Sequence, residues 1–145
     1  MAKRYALVIA VAVLCGGWRQ ATPSTKIAPG GYVLEHDADV AANEPGTHNG
    51  GGQTVGYSFF KKTPHLALVF RKRALKPGSG IGYHEQTEDE IYYVLSGRGT
   101  MTIDGKSFDV GPGTAVLTRP GSSHGLKQIG EEDLVILINY EQKVS

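Results

Sequence analysis

The chain has 145 residues, 40% of them apolar and 20% charged, with a formal net charge of +1. This balance describes one ordinary globular domain and leaves no electrostatic footprint for nucleic acid. Twenty glycines and seven prolines favour many turns between short strands over a helical bundle.

The first element reads as a targeting segment. Lys3 and Arg4 precede an apolar stretch, Tyr5 to Leu14. It is shorter than the roughly 20 apolar residues a spanning helix needs, and it suits a secretory signal. Residues 1–17 are therefore expected to be a signal peptide cleaved after Gly17. The mature chain is then periplasmic or secreted, with no membrane-spanning segment. Cys15 is the only cysteine, so the mature chain holds no disulfide. The stretch AVLCGG resembles a lipobox, with Leu14 where that motif takes a small residue. A lipid anchor through Cys15 is the second reading.

Residues 18–53 read as an N-terminal arm or loop. Ala42 to Thr54, ANEPGTHNGGGQT, is turn chemistry throughout, and at most a short strand is expected near Tyr32 to Leu34. From residue 54 to 140 the chain alternates strand windows with turn formers. The windows are VGYSFF, HLALVFRKRAL, DEIYYVLSG, GTMTIDG, KSFDV, TAVLTR, SHGLKQ and DLVILINY. Asp104-Gly105 between two of them predicts a tight hairpin. Residues 141–145 are a tail. This series predicts an all-β, single-domain antiparallel sandwich or barrel.

Four potential donors stand out in that series. In a strand, His84 and Gln86 share a face. Thr87, Glu88 and Asp89 can bend the chain, and Glu90 opens the strand EIYYVL with Tyr92 and Val94 on its face. His124 follows the turn Pro120-Gly121-Ser122-Ser123. Donors from separate strands that converge inside one barrel would be rigidly placed. Imidazole, amide oxygen and carboxylate suit a divalent first-row transition metal.

The spacing also resembles the cupins. Gly78, His84, Gln86, Glu90 and Gly97 follow the first cupin motif, and Gly113, Gly121 and His124 follow the second. The resemblance runs from about Leu66 to Tyr140. It implies a cupin-type jelly-roll β-barrel over residues 54–140, holding one metal ion, with iron, manganese, nickel, zinc and copper all open. The implied ligands are His84, Gln86, Glu90 and His124. Three positions depart from the pattern. Gln86 stands where the family usually has its second histidine, Arg119 where it has a proline, and Gln128 where it has a late asparagine.

Other residues divide into pocket and surface. Tyr92, on the Glu90 face, is the candidate catalytic residue, its hydroxyl serving as hydrogen-bond donor or acid. The alternative is a core aromatic. In Arg71-Lys72-Arg73, alternation puts both arginines on one face. That face is expected in solvent, the alternative being an arginine that grips a carboxylate or phosphate in the cavity. His48 is expected to be an exposed loop residue within reach of the barrel mouth, and Glu85, Glu88 and Asp89 a solvated bend.

No nucleophile elbow, phosphate loop or cysteine pair is present, so nucleophilic catalysis and nucleotide hydrolysis have no support. The expected function is that of an exported metal-binding protein. One reading is a metal-dependent enzyme of dioxygenase, isomerase or lyase type acting on a small oxygen-rich molecule. The other is a non-catalytic binder of a sugar or organic acid. A homodimer would cover sheet edges.

Overall fold

The structure is a computed structural model that describes residues 30–142. The expected signal peptide, Cys15, the cleavage site and residues 143–145 lie outside the described residues. Ten strands follow in chain order: β1 (Ala41–Pro45), β2 (Gln53–Phe59), β3 (Leu68–Leu75), β4 (Gly80–Glu85), β5 (Glu90–Ser96), β6 (Arg98–Ile103), β7 (Lys106–Val110), β8 (Ala115–Thr118), β9 (Ser123–Ile129) and β10 (Leu134–Glu141). One helical turn, α1 (Asp37–Val40), precedes them. No helix among the described residues is long and apolar enough to cross a membrane.

The strands form two antiparallel sheets, ordered β1-β2-β3-β10-β5-β8 and β4-β9-β6-β7. This is the expected all-β jelly roll. The hairpin between β6 and β7 pairs Ile103 with Lys106. Asp104 and Gly105 both take positive φ at its tip, +47° and +77°, the geometry a two-residue turn of this hand requires.

Two sequence expectations need correction. Tyr32 to Leu34 is not a strand, and Tyr32 and Leu34 are exposed. Instead β1 forms inside the stretch read as loop, pairing Ala41 to Pro45 with Tyr57 to Gln53. Its sequence, AANEP, has little intrinsic strand preference, so the pairing comes from the edge that β2 offers. The window HLALVFRKRAL is also too long by three residues, since His65 to Ala67 lie before β3 begins.

The core sits between the sheets at one end of the barrel. Leu75, Val94, Leu134 and Ile136 from the larger sheet meet Met101 and Leu126 from the smaller. Each such side chain contributes about 1.5–3 kcal/mol by leaving water. Gly97 links β5 to β6 with φ +74°, and a Cβ there would overlap the Asp133 carbonyl oxygen. Gln128 closes the same end. It accepts from the Gly78 N–H at 2.8 Å and donates to the Gly130 and Glu132 carbonyls at 2.9 and 2.7 Å. The amide therefore acts as a clamp between two turns.

Candidate metal centre

Toward the opposite end the inward side chains become polar. The change is set by strand phase, and a bulge controls that phase in β4. Ile81 pairs with Leu126 and His84 with His124, so three steps along β4 match two along β9. The extra residue reverses the alternation. Ile81 and Gln86 are buried and His84 half-buried, while Tyr83 and Glu85 are exposed. Regular alternation from Ile81 would have sent His84 and Gln86 out to solvent.

His84 therefore faces its register partner, His124, with ring centroids 4.4 Å apart. Glu90 approaches them from the other sheet. His124 is fully buried, and its Nε2 lies 3.3 Å from Glu90 Oε2. His84, Glu90 and His124 each offer one ligand atom, all within 4.8 Å of one another. Gln86 is buried beside them and lines the same cavity of about 220 Å³.

The residues fit a metal ion on three counts. Glu90 Oε2 is buried without a hydrogen-bond partner, which is costly unless something else engages the group. His84 Nδ1 lies 2.8 Å from the Gly82 carbonyl. This contact fixes a tautomer that leaves Nε2 as a free donor, as in metal-bound histidines. Finally, two donors each about 2.1 Å from one ion sit close to the 3.3 Å that separates His124 Nε2 and Glu90 Oε2.

Tyr92 is 3% exposed, and its hydroxyl lies 2.8 Å from His124 Nε2. Burial first, and then the Glu90 carboxylate, hold the phenol well above its ordinary value of 10.0. It keeps its proton at neutral pH and can act as a donor within the cavity.

The arginines depart from the sequence expectation. Leu75 is buried, so alternation carries Arg73 and Arg71 inward along β3, and both line the cavity. Arg73 is 3% exposed and fully engaged: it donates to Thr54 Oγ1 and to Glu44 Oε2, each at 2.7 Å. Arg71 donates through Nε to Ser58 Oγ at 3.2 Å and has no ion pair among the described residues. Alternation in the sequence carried no signal for this, because Ala74 and Leu75, on opposite faces of β3, are both buried.

His48 is exposed, as expected, but it is not on a loose arm. It lies in a 3-10 turn, Thr47–Asn49, and its ring stacks on His84 at 3.5 Å with a 3° tilt. Burial, and then His84, lower its pKa from the ordinary 6.5. The bend residues Glu85 and Asp89 are exposed and Glu88 half-buried. Asp89 pairs with Arg119 at 2.6 Å.

Comparisons with known proteins agree with the fold. Residues 72–140 match the family model described as a cupin domain. A stretch of 72 residues is 38% identical to the oxalate-binding protein of Thermotoga maritima, covering 49% of this chain and 60% of that protein. A second stretch, of 51 residues, is 43% identical to an uncharacterized protein of Methanocaldococcus jannaschii, 35% of this chain and 41% of that one. The matches thus span less than two thirds of either curated relative. Among solved structures, one described as a predicted oxalate decarboxylase from Thermotoga maritima superposes with a TM-score of 0.69 at 26% identity. It covers 77% of this chain and all of that one. A polyketide cyclase from Streptomyces resistomycificus superposes at 0.64 with 21% identity, covering 77% and 80%, and shares the fold.

Proposed function

The chain belongs to the cupins through residues 72–140, and on that premise we propose that it binds one divalent transition metal and, beside it, a small carboxylate. The ligands in this reading are His84, Glu90 and His124, with Gln86 as the fourth donor. The observation that carries it is the buried convergence of the first three, with Glu90 Oε2 left unpartnered.

The cavity wall supports the ligand class. Glu44 pairs with Arg73, whereas Arg71 faces the cavity with no ion pair among the described residues. A divalent ion near it would add a second local point of attraction for an anion. Arg71 has guanidinium donors to spare, and its planar fork matches a carboxylate. The relative described as an oxalate-binding protein supports a dicarboxylate of that size.

A bound metal would supply Lewis-acid polarisation of a ligand oxygen. The chain's own residues do the rest. Arg71 anchors the carboxylate, Ile81 and Ile138 give the cavity an apolar wall, and Tyr92 holds a proton beside His124. That proton favours a second reading, in which the protein is an enzyme and the phenol donates to a developing anion.

The test is metal analysis of the purified protein, then calorimetric titration with oxalate, malonate and acetate with and without metal. One metal per chain and metal-dependent oxalate binding are expected. No metal uptake would overturn the reading. Consumption of oxalate would decide for the enzyme over the binder. We also propose export through residues 1–17. Mass spectrometry that finds Met1 to Gly17 intact on the cellular protein would overturn that reading, and a lipid on Cys15 would identify the anchored form.

A further inference from the structure

The Thr47–Asn49 turn is held against the barrel mouth by close backbone contacts. A Cβ on Gly50 would overlap the Gly80 carbonyl, one on Gly82 would overlap the His48 carbonyl, and one on Gly46 would overlap the Gly51 and Gly80 carbonyls. Only glycines allow the two segments to lie this close. The turn itself is strained. His48 and Asn49 take φ +50° and +60°, a region non-glycine residues enter at a cost and hold only when the surroundings enforce it. A fit this tight, with backbone strain at the tip, places one side chain: His48, parallel to the His84 ring at 3.5 Å.

That geometry limits what His48 can do. Imidazole lone pairs and N–H bonds lie in the ring plane. Two parallel rings 3.5 Å apart cannot aim both sets of nitrogens at one point. His48 therefore addresses the layer of the cavity next to the one His84 addresses, on the mouth side. It lines that cavity together with Arg71 and Tyr92, and none of its ring nitrogens has a hydrogen-bond partner among the described residues.

We propose that His48 is a specificity-determining residue of the cavity, which meets the mouth-facing end of a bound carboxylate and takes no part in holding the metal. The inference rests on the carboxylate reading above. Under it, the first imidazole layer holds the ion and the second reads the ligand. A dicarboxylate, with a second charged end to present, gains more from His48 than a monocarboxylate.

The test uses the full chain loaded with manganese(II) and titrated calorimetrically with oxalate and with acetate. Three variants are compared with wild type. His48→Asn suits the left-handed backbone but is too short to reach. His48→Phe retains the stack without a ring nitrogen. Gly50→Ala displaces the turn and leaves His48 itself unchanged. The expected result is wild-type manganese affinity in all three, which also shows that they fold. Oxalate affinity should fall about tenfold, the worth of one hydrogen bond to a charged group, and acetate affinity should change less. Equal oxalate affinity in wild type and His48→Phe overturns the inference alone. Loss of manganese in both His48 variants overturns it too, by making His48 a metal ligand. A wild type that takes manganese and no oxalate overturns the carboxylate reading and this inference with it.

Discussion

His84 and His124 are 40 residues apart in sequence and direct register partners across the β4–β9 ladder. Paired in this way, the two imidazoles are pre-positioned by backbone hydrogen bonds before any ion arrives. His84→Ala and His124→Ala should each lower metal affinity by more than about 100-fold, beyond what loss of an outer-shell partner costs. Glu90→Gln removes the negative charge of the set and should lower affinity while shifting metal preference. Gln86→His adds a stronger donor and should raise affinity. Metal titration with elemental analysis checks the series. Full occupancy in both alanine variants would remove the site.

Arg71 is the arginine of the cavity wall without a carboxylate partner among the described residues. Arg71→Ala should leave metal affinity unchanged and weaken oxalate about ten- to a hundredfold, as expected for lost hydrogen bonds between charged groups. Arg71→Lys should recover only part of this, because an ammonium lacks the planar fork. Calorimetry on the metal-loaded variants reads both. An unchanged oxalate affinity in Arg71→Ala would assign the anion to another residue.

Arg73 has a structural task. It ties β1 to the barrel through Glu44 and Thr54. Arg73→Ala should cost about 1–3 kcal/mol, the range for leaving polar partners unsatisfied. Glu44 is 32% exposed, so water takes up part of the loss. The double variant Arg73→Ala/Glu44→Ala should be less destabilised than the sum of the singles, because the two share one interaction. Denaturant unfolding measures all three. Strict additivity would show that the pair does not hold β1.

His48 carries a pH signature. Its folded pKa is lowered from 6.5 by burial first, then by His84. The unfolded chain therefore takes up this proton more readily than the folded one. The resulting contribution to stability is complete above about 6.5 and is lost as pH falls through the lower folded value. An NMR titration of the His48 ring should find its midpoint below 6.5, and His48→Asn should flatten this part of the stability profile. A midpoint at or above 6.5 would contradict the packing at the mouth.

The sequence determined eight of the ten strands, all but β1 and β4, the Asp104-Gly105 hairpin and the residue types of the candidate centre. Turn chemistry and the spacing of His84, Gln86, Glu90 and His124 are local properties, readable without coordinates. Alternation also showed that Arg71 and Arg73 share a face, but it gives faces only relative to one another. Which face turns inward is decided by how each strand docks on the opposite sheet. Arg73 is buried because Leu75, two residues on, is a core residue. His84 points inward because a bulge in β4 reverses the phase set by Ile81. The placement of β1 and His48 was beyond local reading for a further reason. AANEPGTHNGGG has the composition of a loop, and its order comes from an edge strand to pair with, a buried guanidinium to neutralise and glycines that let two backbones touch. Those partners lie in β2, β3 and β4, and only the tertiary fold brings them within reach.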